Sequence, residues 1–428
     1  MADLLADLAD RCPGCAPRPA WPADAVAGVP AEVVASPSST AEVAEVVRIA
    51  AGHRAVMVAR GAGTKLDWGA PPRSLQLVVD LSRLDRLLEH ASGDLVARVE
   101  AGTPLAALDE ALAGAGQRLP VDEVVPGSSI GGAVATNLCG PLRYREGAVR
   151  DLVTGLTVVR PDGVIARAGS KVVKNVAGYD LCKLYTGSYG TLGIVTEVTV
   201  RLRPRAAARR ILAVVVSDEA ELAPPLAGVL SSQADPSAIE LDRPQPDGPI
   251  TLAVLLEGRP GPLATRARAL AGPLGASGAS GEDGAAGEPG GEPPPWWGRL
   301  PGELTLKAAV PLGSVVALLG RVRALGLELG LGAAVRGSAG TGVLFIGLEP
   351  VPGGWHAERL GPVAALLAGL RRFCSPLGGS VTVLRSPQLL GEGIDLWGEV
   401  PGLSLMRRVK EQFDPQQLMA PGRFVGGI

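Results

Sequence analysis

KVVKNVAGYDLCKLYTGSYGTLGIVTEVTVRLR, residues 171–203, sets Gly178, Gly187, Gly190 and Gly193 around the start of an apolar run, Leu192, Ile194, Val195, Val198, Val200 and Leu202. A glycine-punctuated turn that opens a strand lets main-chain N–H groups approach a bulky ligand with no Cβ in the way. Taken alone, the stretch reads equally well as an ordinary hairpin corner. Two upstream segments add to it. Val56–Ala59 predicts a short buried strand ending in the loop Arg60-Gly61-Ala62-Gly63-Thr64-Lys65. Pro126-Gly127-Ser128-Ser129-Ile130-Gly131-Gly132 opens a small-residue helix that runs to about Asn137. Consecutive N–H groups in such turns make anion nests, and a helix start adds partial positive charge. With Arg60 and Lys65 beside the first nest, a pyrophosphate is the natural guest.

Two familiar nucleotide motifs are missing. Gly61 and Gly63 are followed by Leu66 rather than a third glycine, and no Gly-Lys-Ser/Thr occurs, which excludes a dinucleotide fingerprint and a Walker loop. The three glycine segments, in this order and spacing, resemble the FAD-binding domain of the vanillyl-alcohol oxidase/PCMH flavoprotein family. The runs Leu75–Leu84 and Ala97–Leu105 match its pattern too, so the resemblance covers about residues 30 to 205. Gly140-Pro141-Leu142-Arg143, Gly147–Asp151 and Lys174–Leu181 are similar to the FAD-binding subunit of bacterial glycolate oxidase, and Phe413-Asp414-Pro415 through Pro421-Gly422-Arg423-Phe424 to the family's closing motif.

The resemblance implies an α+β chain: a PCMH-type two-lobed FAD-binding domain over 31–205, then a reduced α+β cap domain over 206–400. A segment over 401–428 would return to the FAD domain. It implies FAD in contact with Arg60, Gly61, Ala62, Gly63, Thr64 and Lys65, with Pro126 through Gly132, and with main chain at Gly190, Gly193, Ile194 and Val195. Asn137, Gly140 and Arg143 would lie towards the isoalloxazine. The Arg60–Lys65 loop holds neither His nor Cys for a covalent link, so non-covalent FAD is expected. Tyr189 stands where many relatives carry Glu, Ala420 where they carry Asn, and the metal-binding histidine pair of the catalytic hydroxy-acid dehydrogenases is absent, so no metal is expected.

Composition sets outer bounds. A chain of 428 residues with 46% hydrophobic residues is long enough for two cores. A net charge of −2 argues against nucleic acid. Five irregularly spaced cysteines suit a reduced, cytoplasmic protein, and Cys12-Pro-Gly-Cys15 has neither strand–helix context nor a second ligand pair. No apolar run is long enough to span a bilayer and the N-terminus is acidic, so attachment to the inner face of the cell membrane would come only through partners.

Residues 1–30, rich in Pro and Ala, are expected to be partly ordered. Ser39 is placed to cap an amphipathic helix bearing Val43, Val46, Val47 and Ala50. Strands are expected at 152–159, 164–168, 211–216, 250–256, 303–310 and 342–348, and helices at 218–230, 313–326, 356–373 and 402–412. Residues 272–295 (GPLGASGASGEDGAAGEPGGEPPP) read as a disordered insertion. Arg201, Arg203, Arg205, Arg209 and Arg210 form a basic seam, read as a solvated linker or as a docking face for an acidic partner.

Oxidising a 2-hydroxy acid needs a hydride acceptor, a base and a cation for the carboxylate. His53, His90 and His356 are weak bases by position, and Arg143, Tyr144 and Tyr189 are the candidates for holding substrate. The anion loops are present and the acid–base equipment is not. Three functions follow: an FAD subunit of a glycolate-oxidase-like complex with a catalytic flavin subunit and an iron–sulfur subunit, a self-sufficient FAD-dependent D-2-hydroxy-acid dehydrogenase, or a non-catalytic scaffold.

Overall fold

The computed structural model describes residues 2–170, 179–274, 292–350, 354–387 and 393–428, in two compact units. The first comprises Met1–Leu138, Gly147–Arg205 and Glu399–Ile428, and the second Cys139–Glu146 and Ala206–Gly398. The units change over near 205 and 399. The segment 139–146, expected in the FAD domain, groups with the second unit, where Leu142 packs with Ile211, Ala238 and Ala253.

Two sheets make the lobes of the first unit. In one, Val33–Ala35, Leu77–Asp80 and Met57–Arg60 run parallel, and Arg18–Pro19 adds an antiparallel edge. The near-continuous burial of VVA and LVVD suits parallel strands covered on both faces. The helix Thr40–Gly52 covers one face with Val43, Val46, Val47 and Ala50 in the core. Ser39 caps it as the sequence predicts, its side chain accepting from the Glu42 N–H at 3.2 Å. The second lobe is an antiparallel sheet in the order Leu87–Ala91, Val96–Glu100, Ile194–Arg201, Val153–Val159, Ile165–Gly169.

The N-terminal thirty residues are built into this unit rather than loosely attached. Ala2–Arg11 is a helix whose Leu4 and Leu8, one turn apart, enter the core with Cys12 and Cys15. The prolines that suggested partial order lie beyond that helix. Cys15 is packed so tightly that burial pushes its thiol up to about 12, with Cys12 and Glu42 adding to the effect, and it remains a thiol.

The C-terminal segment joins the first unit through main chain and one buried ion pair. The Met57 N–H donates to Leu418 O and the Ala420 N–H to Met57 O, which extends the parallel sheet. On the helix Leu403–Phe413, Lys410 donates to Asp414 at 2.6 Å, to Thr191 O at 2.7 Å and to Met419 O at 2.8 Å. Asp414 in turn accepts the Leu418 and Met419 N–H groups.

The second unit is a seven-stranded antiparallel sheet in the order Ala208–Val216, Ile250–Gly258, Ala238–Arg243, Ala333–Ser338, Val343–Leu348, Leu304–Ala309, Ser380–Arg385. The helices Glu219–Ser231, Pro260–Ala271, Val315–Glu328 and Leu360–Cys374 belong to it. Of the expected insertion, 275–291 lies outside the described residues, and Leu274, just after the helix Pro260–Ala271, is buried. Among the described residues no helix is long and apolar enough to cross a membrane.

Candidate functional site

The strand Met57–Arg60 delivers its C-terminal end to the loop Gly61–Leu66, which borders a cleft of about 510 Å³ counting its open mouth. Ser129, Gly132, Ala135, Thr136, Tyr189 and Arg423 complete the lining. The structure thus brings the loop Arg60–Lys65 and part of the second segment, Ser129 and Gly132, to one cleft. A Cβ on Gly61 would fall 2.2 Å from the Ser129 hydroxyl, so the two segments meet only because residue 61 is glycine.

The charges differ from expectation. Arg60 donates to Asp24 at 2.7 Å and to Asp80 at 2.6 Å. Burial works against its charge, yet the two carboxylates outweigh this and hold the guanidinium above its ordinary value. Asp24 is held well below the usual carboxylate range, first by Arg18 and then by the Trp21 N–H and Arg60. Arg60 is thus a rivet between the strand and the N-terminal segment, its charge already matched by two carboxylates.

The second nest is also engaged internally. The Gly127 and Ser128 N–H groups donate to Glu123 at 2.9 and 3.1 Å, and the Gly132 N–H donates to the Ser129 hydroxyl at 3.2 Å. The helix that follows is only Ile130–Thr136, and Pro126 and Gly127 are exposed away from the cleft lining. Gly131 serves packing: a Cβ there would lie 2.6 Å from Ala101 O. Ile130 is core, and Asn137 ends the helix in a left-handed conformation, accepting the Arg150 N–H at 3.2 Å.

Two cations at the cleft hydrogen-bond to neutral groups. Lys65 donates to the Thr64 hydroxyl at 3.1 Å and to the Ser128 hydroxyl at 2.7 Å. Burial pulls its ammonium down to about 8, with Glu123 and Asp67 opposing the fall. Arg423, 3% exposed, donates through Nη2 to Leu66 O at 3.0 Å and Trp68 O at 2.7 Å, while Nη1 is buried without an acceptor. Burial lowers it to about 10, and Tyr189 and Asp67 work the other way. Tyr189, stacked on Phe424 at 5.3 Å, is pushed up to about 12 by burial, so it presents a neutral phenol. An orphaned guanidinium N–H and a desolvated ammonium on one cleft call for an anion.

The other candidates fall elsewhere. Gly190, Gly193, Ile194 and Val195 are outside this lining, and Ile194 is in the core. A Cβ on Gly193 would meet Val158 and the Val159 carbonyl, so this glycine shapes a tight corner beside the sheet. Gly140, Arg143 and Tyr144 belong to the second unit, where the Tyr144 ring packs over Gly340. Lys174–Gly178 lies outside the described residues. His53 pairs with Asp7 at 2.7 Å, His90 with Gln117 at 2.9 Å, and His356 precedes a short turn of helix in the second unit. Among the described residues no group of three or more His, Cys, Asp or Glu is placed to hold a metal ion.

Two residues escaped sequence reasoning. Arg423 sits in a motif that the sequence marks as returning to this unit, but only the fold shows its guanidinium at the cleft. In the second unit Lys307 lies near Arg143; burial lowers its ammonium, Arg143 lowers it further and Cys139 opposes.

Residues 31–169 match the family model described as FAD binding domain. They are an FAD-binding domain. The chain is 34% identical to glycolate oxidase subunit GlcD of Bacillus subtilis over 215 residues, half of this chain and 46% of that protein. It is 38% identical to glycolate oxidase subunit GlcE of Escherichia coli over 163 residues, 38% of this chain and 46% of that protein. With D-2-hydroxyglutarate dehydrogenase of Xanthomonas citri it shares 42% over 170 residues, 40% of this chain and 36% of that protein. The chain thus spans less than half the length of each of these relatives. Among solved structures, 4-ethylphenol oxidase from Gulosibacter chungangensis superposes with a TM-score of 0.73 over 99% of this chain and 96% of that one, at 16% identity. That likeness shows the fold: a PCMH-type FAD-binding domain with an α+β companion. The FAD-binding domain fits its cofactor by its own chemistry too, since Lys65, Thr64 and Arg423 offer donors to an anionic dinucleotide.

Proposed function

We propose that this chain is the FAD-carrying subunit of a glycolate-oxidase-like complex that oxidises a small 2-hydroxy acid. One observation carries the reading: the cleft of the FAD-binding domain keeps two cations for an anion, while none of the three histidines lines it. Bound FAD would supply a two-electron carrier, relaying the electrons that a catalytic flavin subunit takes from the hydroxy acid. The chain's residues would hold the cofactor's anionic centre, exclude water through Tyr189 and Phe424, and keep a neutral phenol at the wall. The proton would be taken by a catalytic flavin subunit, and electrons would pass to an iron–sulfur subunit. The relatives named as glycolate oxidase subunits support this assignment. Contact with the inner face of the cell membrane would come through those partners.

A second reading, a self-sufficient D-2-hydroxy-acid dehydrogenase, is favoured by Lys307 and Arg143, two neighbouring cations suited to a carboxylate. One titration separates them. The purified chain is mixed anaerobically with glycolate and with D-lactate while its visible spectrum is recorded. The subunit reading expects a yellow protein that bleaches only after the partner subunits are added. Bleaching of the chain alone would establish the second reading, and a protein that cannot be reconstituted with FAD would leave only a scaffold.

A further inference from the structure

The cleft's cations raise a narrower question: which of them receives the cofactor's diphosphate. Arg60 is matched by Asp24 and Asp80, and the Gly127 and Ser128 N–H groups are taken by Glu123. Lys65 has two hydroxyl partners and capacity for one more acceptor. Arg423 is fixed by two carbonyls on one nitrogen, which aligns the planar fork, and its other terminal nitrogen has no acceptor. A buried guanidinium N–H without a partner is costly unless a ligand supplies the missing acceptor.

We propose that Arg423 is a diphosphate-binding residue, so that the C-terminal segment closes over the phosphates of FAD opposite Lys65. The inference rests on the FAD reading and adds a residue that lies more than 350 positions from the glycine loop in sequence. It also gives the buried Lys410–Asp414 pair a task, since that pair fixes the segment that carries Arg423. The only bonds that change are hydrogen bonds: Nη1 gains a phosphate oxygen as acceptor, and Nη2 keeps Leu66 and Trp68.

The test uses the full-length chain and its R423Q and R423K variants. FAD affinity is read by flavin fluorescence quenching, ADP affinity by competition, and the unfolding of each apoprotein by urea titration. Loss of a charge-assisted bond to phosphate predicts FAD and ADP binding weakened about ten- to a hundredfold in R423Q. The apoprotein of R423Q should lose little or no stability, because removing a buried charge with an orphaned N–H offsets the loss of its two carbonyl bonds, an outcome that a purely structural role would not produce. R423K, which keeps charge without the fork, should fall between. In wild type, FAD should also slow tryptic cleavage after Arg423. Wild type that binds FAD while R423Q matches it within threefold would overturn the proposal, as would failure of both variants to fold. Wild type that does not bind FAD would overturn the FAD reading itself, a distinct result.

Discussion

Asp414→Ala is the sharpest test of how the C-terminal segment is held. Lys410 is 2% exposed and Asp414 fully buried, and their 2.6 Å contact is supplemented by two carbonyls on the ammonium and two backbone N–H groups on the carboxylate. Removing the carboxylate leaves a desolvated ammonium facing only carbonyls and deprives the Leu418 and Met419 N–H groups of their acceptor. Breaking such a pair typically costs about 3–5 kcal/mol, and the two stranded donors push this case to the upper end. Lys410→Met is milder, by at least about 1 kcal/mol, because Asp414 keeps both of its backbone donors. For a unit of this size roughly 2–4 °C of melting temperature accompany each kcal/mol, so D414A should melt about 6–20 °C below wild type. Calorimetry with urea titration of both variants decides it. A loss under about 1 kcal/mol in D414A, or a K410M variant that is the worse of the two, would refute the reasoning.

Gly131→Ala puts a Cβ 2.6 Å from the Ala101 carbonyl and 2.8 Å from its methyl, both fixed by the sheet, so urea titration should show a loss above about 2 kcal/mol. Gly132→Ala meets nothing nearer than 3.3 Å and should stay within about 1 kcal/mol. FAD affinity, followed by fluorescence from pH 6.5 to 9.5 (roughly the window in which a lysine at about 8 titrates), should be flat below the ammonium's value of about 8. It should then weaken by up to about tenfold per pH unit above it, because only the protonated form attracts phosphate, and K65M should abolish the slope. In the apoprotein the sign reverses: Lys65 falls from 10.5 to about 8 on folding, so its contribution to stability grows as pH rises from about 8.

Much of the scaffold was legible because its signals are local. Ser39 ahead of Val43, Val46, Val47 and Ala50 announces a capped helix, and the alternation from Ile194 to Val200 announces a strand. The missed strands share a different character. Ala238–Arg243 carries Glu240, Asp242 and Arg243, all buried, with Asp242 paired to Arg336 and Arg243 to Glu219 at 2.7 Å each. A strand whose buried charges pair with residues far away in sequence, as Asp242 and Arg243 do, has no apolar period to read. Ala333–Ser338 has only Val335 between small and charged residues, and takes its place from its neighbours on both sides. Residues 2–15 were hidden by the prolines that follow them, although Leu4 and Leu8 already mark a helical face.

The candidate site shows the same division between composition and context. Arg60 and Lys65 are five residues apart on one loop and look equivalent as letters. Arg60 meets two carboxylates brought from 36 residues before it and 20 after it, whereas Lys65 hydrogen-bonds to two hydroxyls. The cation that looks best placed in sequence is therefore the one least able to serve a ligand, since releasing it would strand Asp24 and Asp80. Replacing either carboxylate would free Arg60 only by loosening the rivet between the strand and the N-terminal segment. An anion in this cleft draws instead on the desolvated ammonium of Lys65 and on a guanidinium carried in by the C-terminal segment, whose burial is tolerable because an acceptor arrives with the ligand. Structural charge and binding charge are thus separated residue by residue, and what separates them is the identity of the partner, not the type of side chain.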